Sequence, residues 1–435
     1  QTRTISSHST AASTESVCLN GESMSTSLSQ LDPHDSNFAI DVVDRLVPIA
    51  LERGASDIHL QPRADGWQVL LRVDGVLTEI ARLRGGGQSD PVTRLMVLAS
   101  LPTYRSTRPM EGRIRWQTAA SPETSPGEVS MRLGVFPTVH GPRAVIRLLR
   151  RDSTFDSIDS LGMSDDVRQA LNELSSATDG AILLSGPAGS GKTTTMYAVL
   201  REIAASKPSR SVMTIEDPVE SVIDSISQSE LDPSAGMTLS SALRSAMRQD
   251  SEVLLVSEVR DPETAEAALQ ASLTGHLVFS SVHATDVPSA LRRLVQLGIP
   301  HYIVRSGVRA IISQRLVRRL CSTCRGASSK AVSRETSLPT SDVPPGVTDG
   351  CPTGLGSGYR GRLAIAQCVR FDGQDRVGDA LGDALESGAS VDQMRRIAVD
   401  AGGNDLRDRG RAAVEQGWTD QTEIYRVLGG PREVS

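Results

Sequence analysis

The stretch Gly186-Pro187-Ala188-Gly189-Ser190-Gly191-Lys192-Thr193 decides the fold of this 435-residue chain. Its spacing, G-x-x-x-x-G-K-[ST], is typical of a phosphate-binding loop when a strand precedes it and a helix follows it. The apolar run Ala181–Leu184 comes before it and the helical pattern Met196–Ile203 after it. Glycines let backbone N–H groups curl around phosphate oxygens at a helix N-terminus. The stretch therefore predicts a nucleotide site in an α/β fold.

Two residues of the loop indicate the chemistry of its ligand. Lys192 is expected to place its charge on the β- and γ-phosphates, and Thr193 to offer its hydroxyl to Mg²⁺. ATP and Mg²⁺ are therefore the predicted ligands. The loop residues predicted to contact the nucleotide are Gly186, Gly189, Ser190, Gly191, Lys192, Thr193 and Thr194.

Short apolar runs alternate with helical stretches on both sides of this loop. The runs are Ala181–Leu184, Ser211–Ile215, Val253–Val256 and Leu277–Ser280. Strands that alternate with helices predict a parallel sheet with helices around it. In such a sheet the ligand crevice lies beyond the C-terminal ends of the strands.

Titratable side chains follow three of these runs. Glu216 is the candidate general base, and Glu258 is predicted to lie closer to Mg²⁺ as the acid of a Walker B strand. His283 comes just after the run Leu277–Ser280, where it is expected to contact the γ-phosphate, and His276 lies at the other end of that run. The alternatives are a surface carboxylate paired with a local Arg and histidines whose roles are structural.

Composition excludes several classes of protein. Lys plus Arg total 46 and Asp plus Glu total 52, so the net charge is −6, and aromatic residues are only 3%. Neither value favours a nucleic-acid partner. No apolar run reaches the roughly 18 residues of a membrane span, and no secretory signal is seen. Five cysteines indicate reduced thiols and a cytoplasmic protein.

The chain divides by composition into six predicted regions. Residues 1–36 contain ten Ser and five Thr, which predicts disorder. The regions are a tail over 1–36, an N-terminal α+β domain over 37–150, a linker over 151–160, the nucleotide-binding core over 161–320, a cysteine module over 321–362 and a mostly helical region over 363–435.

Two local features carry expectations of their own. The basic run Arg315–Arg319 is interpreted as a solvated helical face or a subunit interface. Pro48 is expected to kink the first helix.

Several motifs of this chain, and their order along it, resemble the secretion ATPase superfamily, above all the type II secretion and type IV pilus assembly ATPases. The resemblance covers about residues 37–430. Besides the phosphate loop, its motifs are Glu52–His59, Arg72–Leu77, Ile215–Glu220, Arg248–Asp250, Glu258–Asp261, Thr274–His276 and His283–Asp286.

The resemblance implies a RecA-like P-loop core, a smaller N-terminal α+β domain and a homo-hexamer. It implies that Glu216 and Glu258 are the acids of two family motifs, and that His276 and His283 form a histidine motif at the nucleotide. Arg113 and Arg132 match the places from which arginines of the small domain reach the γ-phosphate. Such arginines neutralise charge that spreads over the transferring phosphoryl group. The alternative for each of these arginines is that it is simply an exposed residue of a strand.

The cysteine module departs from the pattern of the assembly ATPases. Cys321 and Cys324 form a C-x-x-C pair, a common half of a zinc site, but Cys351 is followed by Gly354 where the family has its fourth cysteine. Either three thiolates with another ligand hold Zn²⁺ or the module is free of metal. Cys368 is interpreted as a small core residue.

The predicted function is an ATP-hydrolysing motor that powers assembly of a type II secretion pseudopilus or a type IV pilus. The motor is expected to be cytoplasmic, peripheral to the inner membrane, and to act on inner-membrane platform proteins. One alternative keeps the chemistry but powers pilus retraction or conjugation-type secretion. Another is a nucleotide-binding regulatory subunit with little hydrolysis, which is suggested by Ser257 in place of the family's Gly and by the lack of a docking domain in this sequence.

Overall fold

The computed structural model describes residues 28–87, 89–104, 108–118, 127–149, 155–322 and 357–430. These residues form two compact units, one that ends at Leu149 and one that follows it. Among the helices in these ranges, none has the length and apolar content that crossing a membrane requires.

The first unit is an antiparallel sheet covered on one face by two helices. The strand order is β3-β2-β1-β6-β5-β4. Asp74 and Gly75 join β2 to β3 with φ values of 49° and 83°, the two positive angles that a tight hairpin turn favours. The elements are α1 (Phe38–Glu52), β1 (Asp57–Arg63), β2 (Gly66–Val73), β3 (Val76–Arg84), α2 (Pro91–Leu98), β4 (Met110–Thr118), β5 (Gly127–Thr138) and β6 (Gly141–Leu149).

Because side chains alternate between the two faces of a strand, every second side chain lies in the core of this unit. Ile58, Leu71 and Ile146 are buried together with Val43 and Leu46 of α1. The helix α1 continues through Pro48 to Glu52, because buried residues on both sides of the proline hold it against the sheet.

Two predictions at the edges of this unit need correction. Leu28 is 1% exposed and belongs to the core of the first unit, so the predicted tail of 1–36 is too long. The rest of that tail, residues 1–27, lies outside the described residues. Ile158, inside the predicted linker of 151–160, is buried in the second unit because its apolar side chain packs there.

The second unit is built on a seven-stranded sheet of order β13-β12-β7-β11-β10-β8-β9. All neighbouring strands are parallel except β12 and β13. Its strands are β7 (Gly180–Ser185), β8 (Val212–Glu216), β9 (Ser227–Glu230), β10 (Val253–Val256), β11 (Leu277–Val282), β12 (Val308–Leu320) and β13 (Tyr359–Arg370). Helices pack on both faces. They are α3 (Asp165–Ser175), α4 (Lys192–Ala205), α5 (Leu239–Ala246), α6 (Pro262–Leu273), α7 (Val287–Gln296), α8 (His301–Gly307), α9 (Arg376–Glu386), α10 (Val391–Asp400), α11 (Leu406–Glu415) and α12 (Gln421–Leu428).

The end of this sheet corrects one interpretation and refines another. The run Arg315–Arg319 lies in β12, not on a helical face, because the β-branched and apolar residues before it are buried in the sheet. The region 363–435, expected to be mostly helical, begins with a strand, since β13 pairs with β12 up to Arg370. Four helices follow that strand.

Candidate nucleotide site

The phosphate loop connects the buried strand β7 to the helix α4. The strand ends at Ser185, and α4 begins at Lys192. Gly191 caps the helix with a φ of 87°, a conformation that L side chains rarely adopt. A Cβ on Gly186 would lie 2.5 Å from Ser190 Oγ, and one on Gly191 would lie 2.8 Å from Gln314 Nε2. Both glycines are therefore required by space, and Gly191 also by its backbone conformation.

The side chain of Lys192 folds back over the loop that carries it. Its Nζ donates hydrogen bonds to the carbonyl oxygens of Gly186 at 2.8 Å and Pro187 at 3.1 Å. Burial lowers the pKa of Lys192 below its usual value, although the nearby carboxylate of Glu258 opposes this effect. Both of these partners of Nζ belong to the loop itself.

A second polar group of the loop fits a bound phosphate. Ser190 is 3% exposed, and its Oγ has no hydrogen-bond partner within the described residues. A buried hydroxyl in this situation is costly unless a ligand satisfies it. Thr193 is half-buried and Thr194 is exposed, so the hydroxyl predicted to bind Mg²⁺ borders solvent. The residues present therefore fit a nucleotide phosphate with its metal.

Glu258 and His283 meet beside this loop. Glu258 follows β10, and its Oε1 lies 2.8 Å from Nε2 of His283, just beyond β11. The other ring nitrogen of His283, Nδ1, lies 3.2 Å from the carbonyl oxygen of Gly186. Arg260 Nε donates to Oε2 of Glu258 at 2.8 Å. Because the strands are parallel and adjacent, their ends bring the loop, the acid and the histidine together.

Glu216 is buried at the end of β8, and its carboxylate is already fully engaged. Oε1 accepts hydrogen bonds from Thr214 Oγ1 at 2.5 Å and Gln228 Nε2 at 3.1 Å, and Oε2 accepts one from the hydroxyl of Tyr197. Burial, and then the Glu216 carboxylate, raises the pKa of Tyr197 above its usual value. These contacts are typical of a carboxylate that supports structure.

Glu220 is a second acid in the same segment. Its side chain is exposed, and its charge is the weakest of the influences on the pKa of Lys192, which burial lowers overall. The motif Ile215–Glu220 includes this residue, but the sequence led us to expect the general base at Glu216. Spacing along the chain did not show which of the two carboxylates is buried.

His276 lies at the opposite end of β11 from His283. Leu277 pairs with Gly180 at the start of β7, whereas Val282 pairs with Ser185, next to the loop. The two histidines are seven positions apart along this strand, which corresponds to about 23 Å at roughly 3.3 Å per residue. Nδ1 of His276 contacts the carbonyl oxygen of Ala271. The structure therefore does not bring His276 to the loop of its own subunit.

Arg113 and Arg132 lie on the first unit and face one another across β4 and β5. They belong to a transverse row of directly paired positions that runs from β2 to β4: Arg72, Asp57, Arg147, Arg132 and Arg113. Asp57 accepts a hydrogen bond from Arg147 Nε at 3.1 Å, and Arg132 pairs with Glu111. The face that carries these side chains lies opposite the core, and it presents a strip of arginines among which the carboxylates of Asp57 and Glu111 also lie.

The cysteine module is described only at its two ends. Cys321 is buried just after β12, while Cys324 and Cys351 lie outside the described residues. No group of three or more potential metal-ligating side chains occurs among the residues that the structure does describe. Cys368 packs against the core of the sheet, and burial raises the pKa of its thiol to about 12.

The chain was compared with known proteins. The sequence profile described as "Type II/IV secretion system protein" matches residues 32–426. The type IV pilus assembly ATPase PilB of Thermus thermophilus is 34% identical over 90% of this chain and 43% of its own length. The type II secretion system ATPase E of Vibrio cholerae is 35% identical over 91% of this chain and 76% of its own length. The chain thus spans less than half of one relative and about three quarters of the other.

Two solved structures have the same fold. The Legionella pneumophila ATPase DotB matches with a TM-score of 0.66 at 20% identity over 91% of this chain and 97% of that chain. The pilus retraction motor PilT matches with a TM-score of 0.53 at 22% identity over 89% and 96%. The predicted α/β fold with a RecA-like P-loop core is thereby confirmed. Since the profile covers residues 32–426 and the relatives exceed 30% identity, the chain belongs to the type II/IV secretion system protein family, the family of secretion ATPases that its sequence predicted.

Proposed function

We propose that this chain binds and hydrolyses ATP as the motor subunit of a type II secretion or type IV pilus assembly machine. One observation carries the proposal. Lys192 and His283 both contact the carbonyl oxygen of Gly186, and His283 also contacts Glu258, so three chemically distinct groups converge on one phosphate loop. The names of the two relatives support the choice of system.

Each group has a defined part in this proposal. Lys192 exchanges its two carbonyl partners for oxygens of the β- and γ-phosphates, and Ser190 Oγ gains a partner. Thr193 and Glu258 would hold Mg²⁺, which supplies positive charge to the phosphate oxygens when bound. His283 keeps Glu258 at the mouth of the loop and senses whether the γ-phosphate is present.

The attacking water requires a carboxylate that is able to reach it. Glu216 is 2% exposed and accepts three hydrogen bonds within its own unit, so we give it the part of supporting the segment from Glu216 to Glu220. Glu220 lies at the end of this segment, where its side chain is exposed. We therefore assign the orientation of water to Glu220 and a supporting part to Glu216, which revises the role expected from the sequence.

The arginine strip supports catalysis between subunits of a homo-hexamer. Arg113 and Arg132 lie on the exposed face of the first unit, where a neighbouring subunit's phosphate loop would meet them. Their positive charge would stabilise the transferring phosphoryl group. In this arrangement the hexamer acts on inner-membrane platform proteins from the cytoplasmic side, with no nucleic-acid partner. We also propose that Cys321, Cys324 and Cys351 bind Zn²⁺. Elemental analysis of the purified protein tests this, and a zinc stoichiometry near zero would exclude it.

The decisive experiment measures ATP hydrolysis by the purified chain with Mg²⁺ over a range of protein concentrations. Turnover per subunit should rise with concentration and disappear in Lys192→Ala, while Lys207→Ala, which removes an exposed lysine outside the site, should retain it. If ATP binds but wild-type turnover never exceeds that of Lys192→Ala, the chain is a regulatory subunit and the proposal fails.

Mixing variants tests whether the site is shared between subunits. Lys192→Ala and Arg113→Ala should each be inactive alone, but their mixture should regain part of the activity because some interfaces then combine an intact loop with an intact arginine. Arg84→Ala, an exposed arginine on β3, serves as the control and should be active alone. A mixture as inactive as its components contradicts the shared site.

Deletion of the gene separates assembly from retraction. Loss of filaments or of secretion supports assembly, whereas excess filaments support retraction as the output of the same chemistry.

A further inference from the structure

Gln314 lies on β12 immediately beside the phosphate loop, although nothing in the loop motif points to it. The strand β12 is parallel to β7, and Ser313 pairs with Ser185, the last residue before the loop. Gln314 is therefore the residue of β12 that stands next to Gly186. It is 1% exposed, so its amide depends on protein partners rather than on water.

The amide of Gln314 connects the loop to the helix that follows it. Its Nε2 donates to the carbonyl oxygen of Ser190 at 2.8 Å, and its Oε1 accepts from Thr195 Oγ1 at 2.9 Å. Donor and acceptor are thus used at once, on residues at either side of Lys192. A carboxylate in place of the amide has no donor for Ser190, and a hydrocarbon has neither group.

The same residue explains why the motif needs both of its fixed glycines. A Cβ on Gly186 would lie 2.7 Å from the backbone oxygen of Gln314, and a Cβ on Gly191 would lie 2.8 Å from its Nε2. Gln314 therefore sets how closely the loop approaches β12. This approach determines where the backbone N–H groups of the loop point.

The next residue extends the contact to the histidine side of the site. Arg315 Nη1 donates to the carbonyl oxygen of Gln314 at 2.8 Å, and Nη2 donates to that of Thr285 at 2.7 Å. Thr285 lies two residues after His283. The pair Gln314-Arg315 thus joins the phosphate loop to the segment that carries His283.

We propose that Gln314 is a positioning residue of the nucleotide site, whose amide holds the phosphate loop in the form that receives the phosphates. The residue acts through Ser190 and Thr195 and does not itself contact the nucleotide. The inference rests on the proposed binding of ATP and adds to it a residue on a strand outside the motif.

The test compares Gln314→Met and Gln314→Glu with Gln367→Met, which replaces another buried amide in the same sheet, on β13. Binding of a fluorescent ATP analogue and the melting temperature are measured for each full chain. Gln314→Met should weaken binding about tenfold, the effect of one or two lost hydrogen bonds. Gln314→Glu should weaken it more, because its charge also repels the phosphates. Gln367→Met should bind as the wild type does.

The partner residue supplies a conservative rescue. Thr195→Ser keeps the hydroxyl and should bind nearly as the wild type, while Thr195→Val should lose several-fold in affinity. Wild-type affinity in both folded Gln314 variants would overturn the inference.

Hydrogen exchange of residues 186–192, measured without nucleotide, separates this inference from the proposed function. Faster exchange in Gln314→Met than in Gln367→Met supports the positioning role, and equal exchange contradicts it. A wild-type chain that fails to bind ATP would instead defeat the proposed function, while the exchange comparison would still decide the role of Gln314.

Discussion

Nε2 of His283 lies 2.8 Å from Oε1 of Glu258, and Nδ1 of the same ring lies 3.2 Å from the carbonyl oxygen of Gly186. A single imidazole thus contacts the acid after β10 and the first residue of the phosphate loop. Each ring nitrogen lies within hydrogen-bond distance of one of these oxygens, so the ring lies directly between the two groups. This relationship places the loop, His283 and Glu258 in one chain of contacts.

Loss of either member of this pair should lower turnover. We expect His283→Ala and Glu258→Gln each to reduce kcat by about 10- to 100-fold, while the double variant is little worse than the stronger single variant. Residues that act as one unit give such non-additive effects. Steady-state kinetics of the four proteins measures the coupling.

His276→Ala is the matched control for this cycle. Because His276 lies at the far end of β11 and contacts Ala271, its removal should leave the coupling between His283 and Glu258 unchanged. A loss of turnover in His276→Ala equal to that in His283→Ala would show that the family histidine motif acts as a pair, contrary to the geometry within one subunit.

The two acids of the segment after β8 should differ in what their removal changes. Glu216→Gln replaces an acceptor of three hydrogen bonds with a group that also donates, so it should cost about 1–3 kcal/mol of unfolding free energy. Glu220→Gln should leave stability unchanged and lower kcat. Thermal unfolding and ATP turnover are measured side by side. The reverse pattern would restore Glu216 as the general base.

Gly191 should tolerate no side chain. Gly191→Ala would place a Cβ 2.8 Å from Gln314 Nε2 at a residue with a φ of 87°, and we expect at least a tenfold loss of ATP affinity. Gly388→Ala provides the control, since Gly388 has a φ of 74° with nothing within 4 Å of its Cβ position. It carries the same backbone strain of about 1–3 kcal/mol and should bind ATP normally. Equal affinity in both variants would contradict the steric argument.

Glu423 should make the stability of the second unit sensitive to acid. It is 0% exposed, and burial alone would raise its pKa, but hydrogen bonds from Arg426 and Arg318 outweigh burial and hold the pKa below its usual value. A carboxylate whose pKa is lowered by folding stabilises the protein above its unfolded pKa and loses that contribution as pH falls through the folded pKa.

Thermal unfolding at pH 7 and below pH 4 tests this contribution. Glu423→Gln should be less stable than the wild type by about 3 kcal/mol at pH 7, the cost of breaking a buried ion pair, and the difference should shrink in acid. Glu79→Gln, which removes an exposed ion pair with Arg82, should change stability by less than about 1 kcal/mol at either pH. A constant difference for Glu423→Gln at both pH values would show that its charge is not the source of the effect.

The sequence by itself determined the features that depend on neighbours along the chain. The spacing of Gly186, Gly191 and Lys192 specified the phosphate loop, because backbone conformation and helix capping are local properties. The turn Asp74-Gly75 specified the hairpin of β2 and β3 for the same reason. The apolar runs predicted the strands whose ends carry Glu258 and His283, since a parallel sheet gathers such ends at one edge.

The tertiary structure decided everything that depends on contacts between distant residues. The pairing of β12 with β7 placed Gln314 against the loop, and a residue 128 positions beyond Gly186 cannot be found from the motif's spacing. Burial separated Glu216 from Glu220, although both lie in one short acidic segment. The pairing of β13 with β12 placed a strand at the start of the mostly helical C-terminal region. Burial and strand pairing arise from the whole fold, so they become visible only when the packed chain shows which residues meet.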